Sequence, residues 1–206
     1  MKPVTIIIPS YCPDETVKGY EARCLAALEA NTPREMYDLV VIGGGDWSYP
    51  QKVNAAMFQV LTEWAVILSN DVFVSPGWLP QMIQDFENID NCALLAPMEK
   101  LEPGTITYDD HWWALVLLRP TLFDDLGGLD PLLPHVYHDQ CFSIRVRRAG
   151  NEICRTGNVA VEHVGMATRI RVGTGDDPKE RAEMIRRYGA AELSDWVKLH
   201  APGIPQ

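Results

Sequence analysis

Short apolar runs that alternate with helix-like stretches are the feature that most constrains the fold of this chain. The runs that we predict to be strands lie at 4–8, 39–42, 65–68, 93–97, 113–118 and 153–161. Stretches with helical spacing lie at 20–30, 50–64, 78–88, 120–126, 140–149 and 178–188. This alternation predicts an α/β layered fold with a mostly parallel central sheet flanked by helices. Because no linker, repeat or low-complexity segment interrupts the 206 residues, we expect one domain.

The acidic balance of the chain argues against broad adhesion to nucleic acid or to an anionic membrane. The chain has 18 Lys and Arg against 28 Asp and Glu, which gives a formal net charge of −10. Surfaces that coat nucleic acids are basic instead. An anionic substrate would therefore need a local cation, and many of the basic residues lie between Arg145 and Arg187.

The cysteines and the apolar runs favour a cytoplasmic protein without an integral membrane segment. The five cysteines are odd in number and scattered, with no C-x-x-C, so reduced thiols are expected rather than disulfides or a zinc site. No apolar run approaches the roughly 18–20 residues of a membrane span. The apolar run near the N-terminus is too short for a signal peptide.

Polar or glycine-rich segments follow the first three predicted strands, at 9–11, 43–46 and 69–71. In open α/β sheets, ligands bind outside the carboxyl ends of the strands. The carboxylate of Asp71 ends a buried strand, where it could hold a hard divalent cation that also binds phosphate oxygens. An aspartate that only caps the next segment is an equally good interpretation of this position.

Two further residues could carry chemistry. Asp139 stands just before a helix with arginines at 145, 147 and 148, where it would act either as a helix N-cap or as a general base in a cleft. His163 follows the last predicted strand. A lone histidine more often packs in the core or lies at the surface, so a functional role for His163 is expected only if it faces Asp71.

Five segments, in this order and spacing, resemble the family 2 glycosyltransferases of the GT-A fold. They read IPSY at 8–11, LSNDVFVSPGWL at 68–79, Arg119 through GGLD at 127–130, HDQCFSIR at 138–145 with AG at 149–150, and VEH at 161–163. They resemble the nucleotide-binding start, the metal-binding D-x-D segment, the acceptor-side stretch, the acidic E-D segment with its helix, and the late histidine of the family. The match covers about residues 4–165, the expected catalytic core, and leaves 166–206 as a C-terminal loop and helices.

The resemblance implies an inverting transfer of a sugar from a nucleotide-diphosphate sugar, with a UDP-sugar as the expected donor. Asp71 and His163 would hold Mn²⁺ or Mg²⁺ on the diphosphate, and Asp139 would be the general base that takes the proton of the acceptor hydroxyl. The implied donor contacts are Pro9, Ser10, Tyr11, Asp46, Asn54 and Asn70. The implied acceptor or sugar contacts are Trp112, Asp130 and His138, and Arg169 and Arg171 would bind the diphosphate. Trp113 is expected in the core.

Three positions depart from the family pattern. Ser69 stands where the D-x-D segment begins, glycine replaces the acidic residue after the second strand, and His138 replaces the glutamate of the E-D pair. The first two changes motivate an alternative, a nucleotide- or sugar-binding module of the same fold that has lost catalysis. A nicotinamide-dependent Rossmann enzyme is disfavoured, because the glycines at 43–45 follow the second strand and do not form G-x-G-x-x-G. The acceptor stays open among a saccharide, a lipid-linked sugar, a protein and a modified nucleobase.

Overall fold

Strands and helices alternate along most of the chain, as the sequence predicts. A computed structural model describes residues 3–98, 102–108, 113–165 and 177–189. The strands in these ranges are β1 (Val4–Pro9), β2 (Tyr37–Ile42), β3 (Trp64–Leu68), β4 (Val72–Val74), β5 (Cys92–Pro97), β6 (Ile106–Tyr108), β7 (Leu115–Leu118), β8 (Glu152–Thr156) and β9 (Val161–His163). The helices are α1 (Glu15–Asn31), α2 (Tyr49–Met57), α3 (Trp78–Asn88), α4 (Pro120–Asp125), α5 (His138–Arg148) and α6 (Pro178–Tyr188). None of the described helices is long and apolar enough to cross a membrane.

Within the described part of the chain, seven strands form the central sheet, in the order β2-β1-β3-β7-β5-β8-β6. Strand β1 is parallel to β2 and β3, and β5 is parallel to β8, whereas β7 is antiparallel to β3 and β5 and β6 is antiparallel to β8. Strands β1, β2, β3, β5 and β8 therefore share one direction, which confirms the mostly parallel sheet. All residues of β1 and β3 are buried, as expected of strands covered on both faces.

Helices cover both faces of this sheet and produce two hydrophobic cores. Ile6 and Ile8 of β1 pack in the core that contains residues of α1 and α3, whereas Ile7 packs with residues of α2, α4 and α5. Successive strand side chains point to opposite faces, so a single strand supplies both cores. The predicted layered α/β architecture is confirmed.

Among the predicted elements whose limits change, two differ most from the structure. The helix expected at 50–64 ends at Met57, and Trp64 instead begins β3, where it pairs with Val4 of β1. Leu61, which continues the helical spacing, is exposed. The strand expected at 153–161 is two strands separated by a turn at 157–160, in which Asn158 donates to the carboxylate of Asp85 at 3.1 Å. His163 consequently lies within β9 and not after it.

Candidate active site

Asp71 lies in the turn that follows β3, at the carboxyl end of the parallel strands. The N–H of Ser69 donates to the carbonyl of Ala114 at 2.7 Å, which ties this turn to the segment that leads into β7. Strand β4 begins directly after Asp71 and pairs with β9, with Val72 opposite His163. The pairing brings His163 Nε2 to 3.4 Å from Asp71 Oδ1. His163 therefore faces Asp71, which is the condition for giving this histidine a role.

The Asp71 and His163 side chains form a donor set that fits a divalent cation bound together with phosphates. Asp71 is 6% exposed, and its carboxylate is a ligand that suits Mn²⁺ or Mg²⁺, with the imidazole nitrogen of His163 beside it as a second donor. In the described ranges no group of three or more His, Cys, Asp or Glu side chains is placed to hold a metal ion. Cations in phosphate-transfer sites are often held by one or two carboxylates, with substrate phosphates completing the shell. Asp71 supplies the one carboxylate that such a site needs, although position 69 is a serine and adds no second one.

Ser10, Tyr11 and Asn70 come together beside this turn. The N–H of Ser10 donates to the carbonyl of Ile42 at 2.8 Å, so the chain after β1 stays alongside the end of β2. Tyr11 is 49% exposed. Asn70 Nδ2 lies 3.8 Å from the sulfur of Cys12, which joins the segment after β1 to the segment after β3. Pro9 ends β1 next to this group, and Asp46 is exposed in the loop after β2.

Lys52 is a candidate functional residue that the sequence analysis missed. It is 3% exposed on α2, and its Nζ donates to the carbonyl oxygen of Ser10 at 2.8 Å. Burial lowers the pKa of the amine from its ordinary value. The sequence feature that could have revealed Lys52 is the helical periodicity of α2, which places it on the buried side of the helix with Val53 and Ala56. A lysine at such a position is uncommon and indicates a specific task.

Asp139 occupies the second position of α5 and is 7% exposed. The N-cap of this helix is Tyr137 and makes no side-chain capping bond, so the interpretation of Asp139 as the N-cap is wrong. Asp139 Oδ1 accepts the N–H of Gln140 at 2.9 Å. Residues 149–151 join the end of α5 to the start of β8, so the first turn of α5 lies towards the carboxyl edge of the parallel strands, the edge that carries Asp71.

Three residues expected to contact substrate have partners within the protein. The side-chain amide of Asn54 makes two hydrogen bonds with the backbone of Leu129. Asn54 Nδ2 donates to the carbonyl of Leu129, and Asn54 Oδ1 accepts the N–H of Leu129, each at 2.8 Å. The carboxylate of Asp130 forms an ion pair with Arg187. The ring of His138 is buried and stacks on Tyr49 with ring centroids 4.9 Å apart. Their predicted contacts with donor or acceptor stay predictions.

The two hydrogen bonds between the Asn54 amide and the backbone of Leu129, which we call the Asn54 clamp, explain why position 128 is a glycine. Gly128 has a φ of +66°, and a Cβ at this position would lie 2.8 Å from Asn54 Oδ1 and 3.0 Å from Phe123 Cε1. Only glycine satisfies both the left-handed backbone and the close approach. The segment that resembles the acceptor-side stretch of the family is thus fixed directly to α2.

The remaining predicted aromatic and basic residues divide into two groups. Trp113 is buried and packs edge-on against Phe142 of α5 with centroids 5.2 Å apart, which confirms its expected place in the core. Trp112, Arg169 and Arg171 lie outside the described residues.

Similarity to known proteins is found at the level of structure. No protein-family model matches the chain, and none of the curated proteins compared matches its sequence. The structure of S. aureus TarS 1–349 superposes with a TM-score of 0.67 at 14% identity, over 96% of this chain and 68% of that one. The catalytic domain of Drosophila β1,4-galactosyltransferase 7 in complex with xylobiose gives 0.60 at 16% identity, over 91% and 80%.

A third structure, GalNAc-T7 with UDP, GalNAc and Mn²⁺, gives a TM-score of 0.64 at 10% identity over 79% of this chain. The match spans only 44% of the GalNAc-T7 chain, less than half of its length. All three are GT-A glycosyltransferases, and the predicted GT-A fold is therefore confirmed. Identities this low establish the fold alone.

Proposed function

We propose that this chain is a glycosyltransferase that moves a sugar from a nucleotide-diphosphate sugar to an acceptor hydroxyl with inversion. The observation that carries the proposal is the pairing of buried Asp71 with His163 at the sheet edge towards which the first turn of α5, with Asp139, also lies. The ligands of the similar structures support a UDP-sugar donor and Mn²⁺. GalNAc-T7 was solved with UDP, GalNAc and Mn²⁺, and TarS was solved with UDP.

The donor binds along the segments that follow β1 and β3. Pro9, Ser10 and Tyr11 line the nucleoside, and Asn70 lies next to them. Asp46 contributes from the loop after β2. Lys52 joins this set, because its amine places positive charge beside Ser10 in a protein of net charge −10. Asn54 acts by holding Leu129 in place, which differs from the direct donor contact that the family resemblance implies.

In the reaction, Asp139 takes the proton from the acceptor hydroxyl while the acceptor oxygen attacks the anomeric carbon. A general base must lie within about 3 Å of that hydroxyl, directly or through one water. Attack from the face opposite the nucleotide inverts the anomeric centre. Asp71 and His163 would hold a divalent cation, which supplies charge compensation to the departing diphosphate. Asp130 and His138 shape the acceptor side, with Trp112 as a proposed sugar contact and Arg169 and Arg171 as proposed diphosphate contacts.

A nucleic-acid acceptor is the least supported of the four acceptor classes. A basic groove for it would draw on arginines of α5, but the guanidinium of Arg145 donates to the carbonyls of Leu126 and Gly128, each at 2.5 Å. Arg148 donates to the carbonyl of Tyr188 at 3.4 Å. Saccharide, lipid-linked sugar and protein acceptors therefore come first in a screen. The cytoplasmic location and the single domain stay predictions.

The second candidate function is a binding module of the same fold that lacks turnover. The observation that favours it is Ser69, which leaves the metal pair with a single carboxylate. The two candidates make different predictions for the same protein sample. A catalyst releases the nucleotide diphosphate from its donor, at least slowly to water, whereas a module only binds the donor.

The deciding experiment combines binding with turnover. Thermal shifts are measured with UDP and a panel of sugar nucleotides, each with and without Mn²⁺, because a ligand of the folded state raises the Tm. Release of the nucleotide diphosphate is then measured for the ligands that bind, with Asp139→Asn as the matched variant. Binding with turnover that Asp139→Asn loses supports the transferase. Binding without turnover in any metal supports the module, and no shift with any nucleotide contradicts both.

A further inference from the structure

The loop that leads into α5 is held by a buried carboxylate from α6. Glu180 is 6% exposed. Its Oε1 and Oε2 each accept the N–H of His135 at 3.2 Å, and its Oε2 accepts the N–H of Val136 at 3.0 Å. These two N–H groups belong to the residues directly before Tyr137, the N-cap of the helix that carries Asp139. The last turn before the candidate base is therefore fixed by a side chain distant in sequence.

The same face of α6 makes two more contacts with this loop. Met184, one turn after Glu180, is fully buried and packs with Leu133, Val136, Tyr137, Cys141 and Ile144. Arg187, almost one turn further, forms an ion pair with Asp130 near the start of the loop. Positions i, i+4 and i+7 lie on one side of a helix, so α6 presents a continuous stripe to the loop.

The backbone that this stripe supports is strained. Tyr137 has a φ of +63°, a left-handed conformation that costs a residue with a Cβ about 1–2 kcal/mol. Its carbonyl nevertheless begins α5 by accepting the N–H of Cys141 at 2.8 Å. Such a conformation persists only where the surrounding structure over-determines it. If Tyr137 relaxed, the first turn of α5, and with it Asp139, would change direction.

The charge of Glu180 does not itself stabilise the fold. Burial raises the pKa of this carboxyl above its ordinary value, and the hydrogen bonds from Val136 and His135 offset only part of that cost. An apolar side chain would fill this place at lower cost in solvation. The carboxylate is better explained by what its two oxygens hold in position.

We propose that Glu180 is a positioning residue for Asp139: by holding the N–H groups of His135 and Val136, it keeps Tyr137 left-handed and orients the first turn of α5. This inference rests on the proposed function, in which Asp139 is the base. It assigns to α6 a part in turnover, although Glu180 itself touches neither donor nor acceptor.

The test compares Glu180→Ala, Glu180→Gln and, as the matched control, Lys179→Ala at the exposed neighbouring position. We expect Glu180→Ala to lower kcat about 10- to 100-fold, since small misplacements of a catalytic group have effects of this size, with the Kd of UDP within about 2-fold. Glu180→Gln keeps a carbonyl acceptor and should retain most of kcat. Lys179→Ala should resemble the unsubstituted protein.

A second readout separates this inference from the proposed function. Hydrogen exchange of the backbone at 133–141 should accelerate in Glu180→Ala and stay unchanged in Lys179→Ala, whether or not a donor and acceptor are known. Unsubstituted protein without turnover contradicts the proposed function, whereas active protein with unchanged kcat in Glu180→Ala overturns the positioning role. A parallel loss of UDP affinity also overturns it. Should the alanine variant fail to fold, Glu180→Asp, which shortens the reach by one carbon, is expected to lower kcat in the same way, and an unchanged kcat overturns the role.

Discussion

The Nζ of Lys52 lies 5.4 Å from the centre of the Tyr11 ring and donates to the carbonyl of Ser10, the residue that precedes Tyr11. A cation near an aromatic face and a backbone carbonyl is stabilised by both. Tyr11 is half exposed while Lys52 is buried, so the amine lies beneath the surface on which a nucleoside would rest. Local charge, and not the overall charge of the chain, would then attract the anionic donor.

Replacing Lys52 by methionine tests this assignment. Lys52→Met keeps most of the apolar stem and removes both the positive charge and the hydrogen bond that holds the carbonyl of Ser10. We expect the Kd of UDP to rise about 10-fold or more in titration calorimetry. The control is Lys18→Met, whose amine is exposed on α1 and pairs with Glu15. Equal affinities in the two variants would remove Lys52 from the donor site.

Removal of the candidate base should separate chemistry from binding. Asp139→Asn preserves shape but cannot take a proton, so we expect kcat to fall about 100-fold or more while the Kd of UDP stays nearly unchanged. Asp125→Asn, at the exposed end of α4, is the control. Steady-state kinetics together with calorimetry check the prediction, and near-normal turnover in Asp139→Asn would contradict it.

The metal pair predicts a graded response to substitution. His163→Ala leaves Asp71 as a ligand, so half-maximal activity should need about 10- to 100-fold more Mn²⁺, whereas Asp71→Asn should abolish metal-dependent activity. Glu162→Gln, on the same strand and paired with Arg23, is the control. Titration of Mn²⁺ after chelation measures both effects. Full activity of the unsubstituted protein in excess chelator would show that the reaction needs no metal at this pair.

The Asn54 clamp predicts different costs for two glycine substitutions. Gly150 has a φ of +82°, and apart from Gly150 and its two chain neighbours no described residue has an atom within 4 Å of the place that a Cβ would take. Gly150→Ala should therefore cost about 1–2 kcal/mol of unfolding free energy for the backbone alone. Gly128→Ala adds the collision with Asn54, which should cost about 1–3 kcal/mol more. Urea denaturation measures both. Similar losses of unfolding free energy in the two variants would show that Asn54 moves aside at little cost.

The buried carboxyl on α6 predicts a pH dependence of stability. Because the folded-state pKa of Glu180 is raised, the folded protein binds the proton more tightly than the unfolded chain. Its contribution to stability is therefore complete below the unfolded-state pKa and is lost as pH rises through the raised folded-state pKa. Relative to Glu180→Gln, the protein should gain unfolding free energy on acidification through that window. Parallel stability curves for the two proteins would contradict the prediction.

The sequence predicts the start or end of a helix or strand correctly where neighbouring residues, such as a capping side chain, determine it. The helix predicted from Asp177 and Pro178 is α6, because the Asp177 side chain caps it by accepting the N–H groups of Lys179 and Glu180. The helix predicted at 50–64 extended too far because pairing with β1, a tertiary effect, draws Trp64 into the sheet. Strands β4 and β6, with three residues each, are too short to leave a periodic signal.

The candidate site was predictable to a similar extent. The predictions for Asp71 and Asp139 rest on their places after a strand and at a helix start, whereas the proximity of His163 to Asp71 depends on a pairing that only the structure supplies. Lys52 and Glu180 were missed because charged side chains are expected on the exposed face of a helix, whatever their position in its periodicity. Their burial arises from segments far away along the chain.

The position of β7 between β3 and β5 has a consequence for how the protein is made. Both neighbours precede β7 in the chain, and neither pairs with the other. During synthesis, β3 and β5 each keep an open hydrogen-bonding edge until residues 115–118 have left the ribosome. Unpaired strand edges are templates for association with other chains. The nascent protein therefore carries unpaired strand edges, open to misassembly, until β7 arrives.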